Sequence, residues 1–351
     1  MSSKTSAKTL LVFRMSSMGD VILSTAFLEN LPPQTTVDWV IASDFAFVLR
    51  GHPKIRRLIE FNKKTGLKGW LALLKTLKQE RYDARVDLHV TLRSRIAKLY
   101  HAFSSTPWHS ISKQRLRFLG YVTLKEAWPH AWRPTPFWKR FARLGASFAS
   151  DSIASDEALK PPSYAPMLEA RQGEVRAVLE RYGLQPKKYY ALMPASRWAS
   201  KEWPAEKYVE LASTLHAQTG ATILLLGRER DPAAQRVAIG LRERKIPWVS
   251  ALQEPDFAVT ALLLQQCVAY IGGDTGLAHL SEAVGAPSVV LFGPTRPELG
   301  FGPWSRRSVS VFSDVACSPC SKDGKNCYRF TDPYACLKRI EVDRVRGAIP
   351  K

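Results

Sequence analysis

Short apolar runs separated by stretches of mixed polarity recur along nearly the whole chain. In the first half, the runs at Thr9 to Arg14, Thr36 to Ala42, Arg56 to Phe61 and Ala84 to His89 read as buried strands. Segments near 20–31 and 68–80 carry apolar residues at helical spacing, and another helix should begin near Ser94. From Ser150 to Pro166 the chain turns rich in Ser, Ala, Pro and Asp, the composition of a connection between domains. The second half opens with a helix at 169–182 and resumes the alternation. Its strands are Tyr189 to Met193, Thr222 to Leu226, Trp248 to Ser250, Ala269 to Gly272 and Ser288 to Phe292. Strands alternating with helices imply α/β architecture, with parallel sheets covered by helices on both faces. A length of 351 residues with 45% apolar content supports two such cores. The expected division is 1–165 and 166–351.

Three strand-to-helix turns carry candidate chemistry. After the first strand, Ser16-Ser17-Met18-Gly19-Asp20 leads into a helix, and ligands of open α/β sheets bind beyond the carboxyl ends of strands. Asp20 therefore stands where a catalytic carboxylate would stand, although a helix cap accounts for it too. One glycine is too few for a dinucleotide fingerprint. The middle turn, A-S-R-W-A-S-K-E-W-P, offers Lys201 as a point charge for a phosphate oxygen, with Pro204 near the start of the next helix. The third runs I-G-G-D-T-G-L-A-H-L-S-E-A-V-G-A-P. Here Asp274 or Thr275 caps a helix that Gly285 ends, and its N-terminal N–H groups suit a diphosphate.

The four cysteines Cys317, Cys320, Cys327 and Cys336 are spaced C-x2-C-x6-C-x8-C in a polar loop, whereas Cys267 sits in an apolar stretch and reads as core. In a reducing compartment such a cluster argues for free thiols or a structural zinc over disulfides.

In these three turns the chain resembles the family 9 glycosyltransferases, the ADP-heptose:lipopolysaccharide heptosyltransferases. The resemblance rests on S-S-M-G-D-V, K-E-W-P, G-G-D-T-G-L-A-H-L and L-F-G-P-T, in order, over roughly residues 9–340. It implies a GT-B-type fold, with two Rossmann-like domains facing across a cleft: an acceptor-binding amino-terminal domain and a donor-binding carboxyl-terminal one. It also implies Asp20 as catalytic base, Lys201 on the donor phosphates, and Asp274, Thr275 and Gly276 in the donor-sugar and diphosphate loop, with His279 one helical turn on. An acidic residue after Leu224 to Gly227 should meet the nucleotide, and Glu229 and Asp231 compete for that place. The cysteine-bearing segment is similar to that of the second heptosyltransferase of the core pathway.

Charge adds a partner. The chain carries 51 Lys and Arg against 31 Asp and Glu, a net charge of +20. Between Thr91 and Gly145 lie eleven basic residues against Glu126 alone, together with four of the ten tryptophans. Basic residues interleaved with aromatics fit an anionic membrane surface or a phosphorylated glycolipid, and Lys113, Arg115 and Arg117 are the candidates to hold it. The same pattern fits single-stranded nucleic acid, but such binding leaves the Asp20 and Asp274 turns unexplained. No apolar run approaches a membrane span, and Leu10 to Phe13 is too short for a signal peptide. A cytoplasmic enzyme held peripherally on the inner membrane is expected.

The chemistry follows. A nucleotide-diphosphate sugar needs positive potential where its leaving group gathers charge, and a base within reach of the acceptor hydroxyl. One carboxylate suffices for inversion, and no D-x-D-type cluster stands out to hold a metal, so no cofactor is expected for the transfer. The expectation is metal-independent heptosyl transfer from an ADP-sugar to an anionic inner-core acceptor, lipid A-Kdo or heptosylated. A sugar-nucleotide module without catalytic activity is the alternative.

Overall fold

The computed structural model describes residues 8–149 and 155–350. The first five of the residues expected to form the interdomain connection, 150–154, lie outside them. The chain divides into two compact units, residues 1–113 with 137–167 and residues 114–136 with 168–351.

The first unit holds β1 (Thr9–Phe13), α1 (Met18–Glu29), β2 (Thr36–Ala42), β3 (Ile55–Phe61), α2 (Gly66–Lys78), β4 (Ala84–Asp87), α3 (Leu92–Tyr100) and β5 (Trp108–Ser110). The segment α4 (Arg115–Leu124) belongs to the second unit, and α5 (Phe137–Ala146) and most of α6 (Ala165–Leu168) return to the first. The second unit continues with α7 (Val175–Arg181), β6 (Tyr189–Met193), α8 (Ala205–Thr219), β7 (Thr222–Leu225), α9 (Pro232–Glu243), β8 (Trp248–Ser250) and α10 (Phe257–Gln266). It ends with β9 (Tyr270–Gly273), α11 (Gly276–Ala283), β10 (Ser288–Phe292), β11 (Val309–Phe312), α12 (Ala335–Lys338) and α13 (Val342–Gly347). The helix expected over 169–182 is regular only from Val175; residues 169–174, with Gly173 among them, form tighter 3₁₀ turns.

Both sheets are parallel throughout. Their strand orders are β3-β2-β1-β4-β5 and β11-β10-β9-β6-β7-β8. Central strands are buried from end to end, as parallel sheets covered on both faces require. In each sheet the direction of winding reverses once, between β1 and β4 and between β6 and β9. At such a point neighbouring loops diverge and leave a crevice at the carboxyl ends of the strands.

Residues 114–136 lie in the amino-terminal half by chain order, yet they pack with the second sheet. Tyr121 OH donates to Glu298 Oε2 at 3.1 Å, Lys125 donates to the Ala316 carbonyl, and the Lys322 ammonium lies 4.9 Å from the Phe118 ring centre. Residues 155–163 are likewise no free linker: Asn30 exchanges hydrogen bonds with Lys160, and Ser163 N donates to Thr25 Oγ1.

Helices α1 and α5 approach closely because Gly145 faces the Phe27 carbonyl, where a Cβ would collide with backbone. Gly145→Ala should therefore cost about 1–3 kcal/mol in chemical denaturation, since backbone cannot swing aside as a side chain can. Unaltered stability would show that α5 can shift freely.

Candidate active site

Each winding reversal carries a buried cation–carboxylate pair. In the first unit β1 hands the chain to Arg14, and Arg14 Nη1 donates to the Leu88 carbonyl of the neighbouring β4 end at 2.7 Å. Its Nη2 lies 2.8 Å from Asp20 Oδ2. Ser17 caps α1, and its N–H and Oγ donate to the same Oδ2 at 3.3 and 2.9 Å. Asp20 Oδ1 takes no hydrogen bond among the described residues, and the side chain stays 24% exposed. The helix cap therefore leaves Asp20 half free: Oδ2 is committed to the fold and Oδ1 is open. Burial pushes its carboxyl upward, but the Arg14 charge, the two Ser17 bonds and nearby His89 outweigh this and hold it below the usual carboxylate range.

His89 follows β4. Asp87 Oδ1 accepts from the His89 and Val90 N–H groups at 2.9 and 2.7 Å, which folds the turn. Met15 N–H points at His89 Nδ1 from 3.5 Å. Burial first, then the Arg14 charge, pulls His89 down to about 3, so it is neutral at physiological pH. A cavity of about 510 Å³ opens here, lined by Ser16, Leu67, Trp70, His89, Leu92 and Ile96 among others.

In the second unit the pair is Lys201 Nζ to Asp274 Oδ2 at 2.8 Å, with side chains 13% and 8% exposed. Thr295 Oγ1 donates to the same oxygen at 3.1 Å, and Tyr270 OH bonds Thr275 Oγ1 at 3.2 Å. Thr275 is the N-cap residue of α11, so Gly276 opens a helix whose free N–H groups point beyond β9. Gly273 cannot carry a side chain, because its Cβ would lie 2.8 Å from the Lys201 carbonyl. The Lys201 loop is anchored by buried Trp203, whose Nε1 donates to the Ile340 carbonyl at 3.0 Å. His279 is buried, with its ring stacked on Trp304 at 6.2 Å. Asp231 caps α9 and accepts from Arg228 N–H at 2.8 Å, which closes its own loop. Glu229 is exposed, and its carboxylate has no partner among the described residues.

Lys113 is half-buried in the first unit and its charge reaches His89, whereas Arg115 and Arg117 start α4 in the second. The four cysteines of the loop are free thiols. Burial and then the neighbouring thiols push Cys320 up to about 12 and Cys336 to about 11. Among the described residues no group of three or more His, Cys, Asp or Glu is arranged to hold a metal ion. The loop braces the Lys201–Asp274 pair. Ser200 Oγ donates to the Gly324 carbonyl, and a Cβ on Gly324 would lie 2.8 Å from Lys201 Cε.

Sequence reasoning missed Arg14, Thr295 and Glu282. Arg14 reads as the polar end of a strand, and Thr295 lies in the L-F-G-P-T motif without a role of its own. Glu282 is buried on α11 and accepts from the N–H groups of Trp304 and Ser305 at 3.0–3.2 Å.

A family model for glycosyltransferase family 9 (heptosyltransferase) matches residues 70–329. A lipopolysaccharide heptosyltransferase 1 from Pseudomonas aeruginosa is 28% identical over 343 residues, covering 91% of this chain and 87% of its own length. A family 9 glycosyltransferase from Veillonella parvula superposes with a TM-score of 0.75 at 18% identity, over 97% of this chain and 96% of that one. The Escherichia coli ADP-heptose lipopolysaccharide heptosyltransferase II gives a TM-score of 0.72 at 18% identity, over 97% of each chain. These likenesses identify the fold as GT-B-type, built on two Rossmann-like units.

Burial pushes Glu282 up to about 7, against the pull of its N–H donors. A carboxyl raised above its unfolded value of about 4.3 stabilises the fold fully below that pH and loses this contribution as pH rises through 7. Glu282→Gln cannot titrate. Its melting temperature relative to wild type should therefore climb between pH 5 and 8, and a constant difference would show that Glu282 titrates normally.

Proposed function

Because the chain belongs to glycosyltransferase family 9, the heptosyltransferases, we propose that it moves heptose from ADP-heptose to an anionic acceptor of the lipopolysaccharide inner core, lipid A-Kdo or a heptosylated form. The observation that carries this is the pair of charged switch points, one with an open ionised carboxylate oxygen and one with a lysine at a helix N-terminus. ADP-heptose and lipopolysaccharide come from the relatives' names, and the finer choice of acceptor from the resemblance of the motifs. The acceptor is assigned to the unit that carries Asp20, and the donor to the unit that carries Lys201.

Asp20 Oδ1 takes the proton of the acceptor hydroxyl as that oxygen bonds the anomeric carbon and the bond to the diphosphate breaks. Arg14 holds the carboxylate in its ionised form throughout. With one open carboxylate oxygen as base and no covalent sugar intermediate, the anomeric configuration inverts. On the donor side Lys201 and the α11 N–H groups at Thr275 and Gly276 meet the leaving diphosphate. This fixed positive potential does the work a divalent cation would otherwise do, which supports a metal-independent route. Asp274 orients Lys201 and faces the donor sugar, with His279 buried behind the same turn. Glu229, free of its own loop, is the better placed acid for the nucleotide than Asp231. Lys113, in the unit assigned to the acceptor, serves that anionic group, and Arg115 and Arg117 add basic surface that brings the enzyme to the inner leaflet.

Asp20→Asn keeps the helix cap but cannot accept the proton. Turnover should fall by about 10²–10⁴-fold while ADP binding by calorimetry hardly changes. Lys201→Ala should show the opposite split, with weakened donor binding as well as slower transfer. Near-wild-type turnover in folded Asp20→Asn would return that residue to capping alone. If the cysteine loop takes a structural zinc, protein purified without chelator should contain about one zinc per chain and lose melting temperature on chelation. Metal-free protein of equal stability would leave four thiols whose role is packing.

A further inference from the structure

Helix α3 exposes a stripe that nothing in its own unit covers. Leu92, Leu99 and Phe103, just past the helix end, lie along one side at helical spacing and are 73%, 76% and fully exposed. Ile96 fills the gap in the same stripe and lines the cavity beside His89. On α2, Leu67 is 58% exposed, and it lines the same cavity mouth as Leu92. The apolar surface is thus continuous from the outer end of α3 to the opening that leads past Ser16 and His89.

The segments that form this face are basic, with Lys63 paired to Asp44 at 3.4 Å. Residues 62–79 contain five lysines and no acid, and residues 88–113 contain Arg93, Arg95, Lys98 and Lys113 and again no acid. Lys68 and Arg95 are exposed and form no ion pair among the described residues. Among the described residues, too, no helix is long and apolar enough to cross a membrane. Single apolar side chains standing among basic ones suit shallow insertion into an anionic interface, where the leucines and phenylalanine leave water and the lysines and arginines meet headgroups. A second copy of the chain would bring the same positive surface against this one.

We propose that the α2–α3 face inserts into an anionic bilayer through Leu99 and Phe103, so that the cavity lined by Ser16 and His89 opens at the lipid surface. This rests on the transferase reading, since it explains how a lipid-anchored acceptor enters headgroup first. The polar part reaches toward Asp20 while the acyl chains remain in the bilayer. The surface is distinct from Arg115 and Arg117, which belong to the other unit.

The test uses flotation of the full chain with vesicles of phosphatidylcholine containing 30% phosphatidylglycerol and with phosphatidylcholine alone. Wild type should bind the anionic vesicles, lose much of that binding in high salt, and bind neutral vesicles weakly. The double variant Leu99→Ser/Phe103→Ser, with an unchanged melting temperature, should bind anionic vesicles about tenfold or more weakly at every salt concentration. It should also lose transfer to acceptor embedded in vesicles but keep transfer to deacylated acceptor. Equal vesicle binding by the variant overturns the proposal. So does a wild-type dimer that the double variant converts to monomer, because the stripe would then be a subunit interface. If wild type transfers no heptose even to deacylated acceptor while stripe-dependent binding persists, the transferase reading fails and the surface stands.

Discussion

A cation–carboxylate pair stands at the winding reversal of each sheet, and the placement of Asp20, Lys201 and Asp274 follows from these two pairs. Parallel sheets covered on both faces leave no room for charge along their strands, so charge collects where the strands end. Both contacts are 2.8 Å long and largely out of water. Such pairs give little net stability, because desolvating both ions offsets most of their attraction, while removing one partner strands the other. Their presence in both units is therefore better explained by the potential they hold ready than by what they add to folding. Arg14 also ties β1 to the end of β4 through Leu88, and the Lys201 carbonyl crosses Gly273 at the end of β9. In each case the pair and the junction of two strands are one piece of structure.

The central strands were legible because burial on both faces makes them continuous apolar runs, and nine of the expected segments appear within a residue or two of their places. The two missed strands are edges. Trp108–Ser110 is three residues long and ends in His and Ser, and Val309–Phe312 alternates Val with Ser, so neither stands out from a loop. Asp20, Lys201 and Asp274 were legible because each lies in a short turn between a strand and a helix. Asp20 finds its partners Arg14 and Ser17 close by in the chain, but Lys201 meets Asp274 across 73 residues. Thr295 reaches Asp274 across 21 residues, and Tyr121 reaches Glu298 across 177. Contacts of that kind leave no periodic trace, which is why residues 114–136 read as part of the first half although they fold with the second.

The cysteine loop shows the same limit from another side. Its spacing drew attention to metal chemistry, and its contacts reach Lys201. Gly324 adopts a left-handed conformation and packs against Lys201 Cε, Pro294 and Thr295. Cys320 N–H donates to the Pro294 carbonyl at 2.9 Å, and Ser318 Oγ to the Gly293 carbonyl at 2.6 Å. The loop thus holds both the stem of Lys201 and the turn that presents Thr295 to Asp274. Anything that rearranges the loop acts on Lys201 and Thr295 through these contacts.

The two carboxylates are matched to different tasks by what surrounds them. Asp274 has its Oδ2 saturated by Lys201 and Thr295, which suits a group that orients others. Asp20 directs all its structural bonds to Oδ2 and is held below the usual carboxylate range, so Oδ1 is ionised and unencumbered. A depressed carboxyl is a weak base, and an alcohol is a weak acid, so early proton removal is unfavourable. The match improves only as the acceptor oxygen bonds carbon and its proton becomes acidic. In the proposed transfer a base of this kind acts late, once bond cleavage has begun, and its value lies in being ionised and correctly aimed at that moment. Arg14 supplies the ionisation, and the cap on α1 supplies the aim.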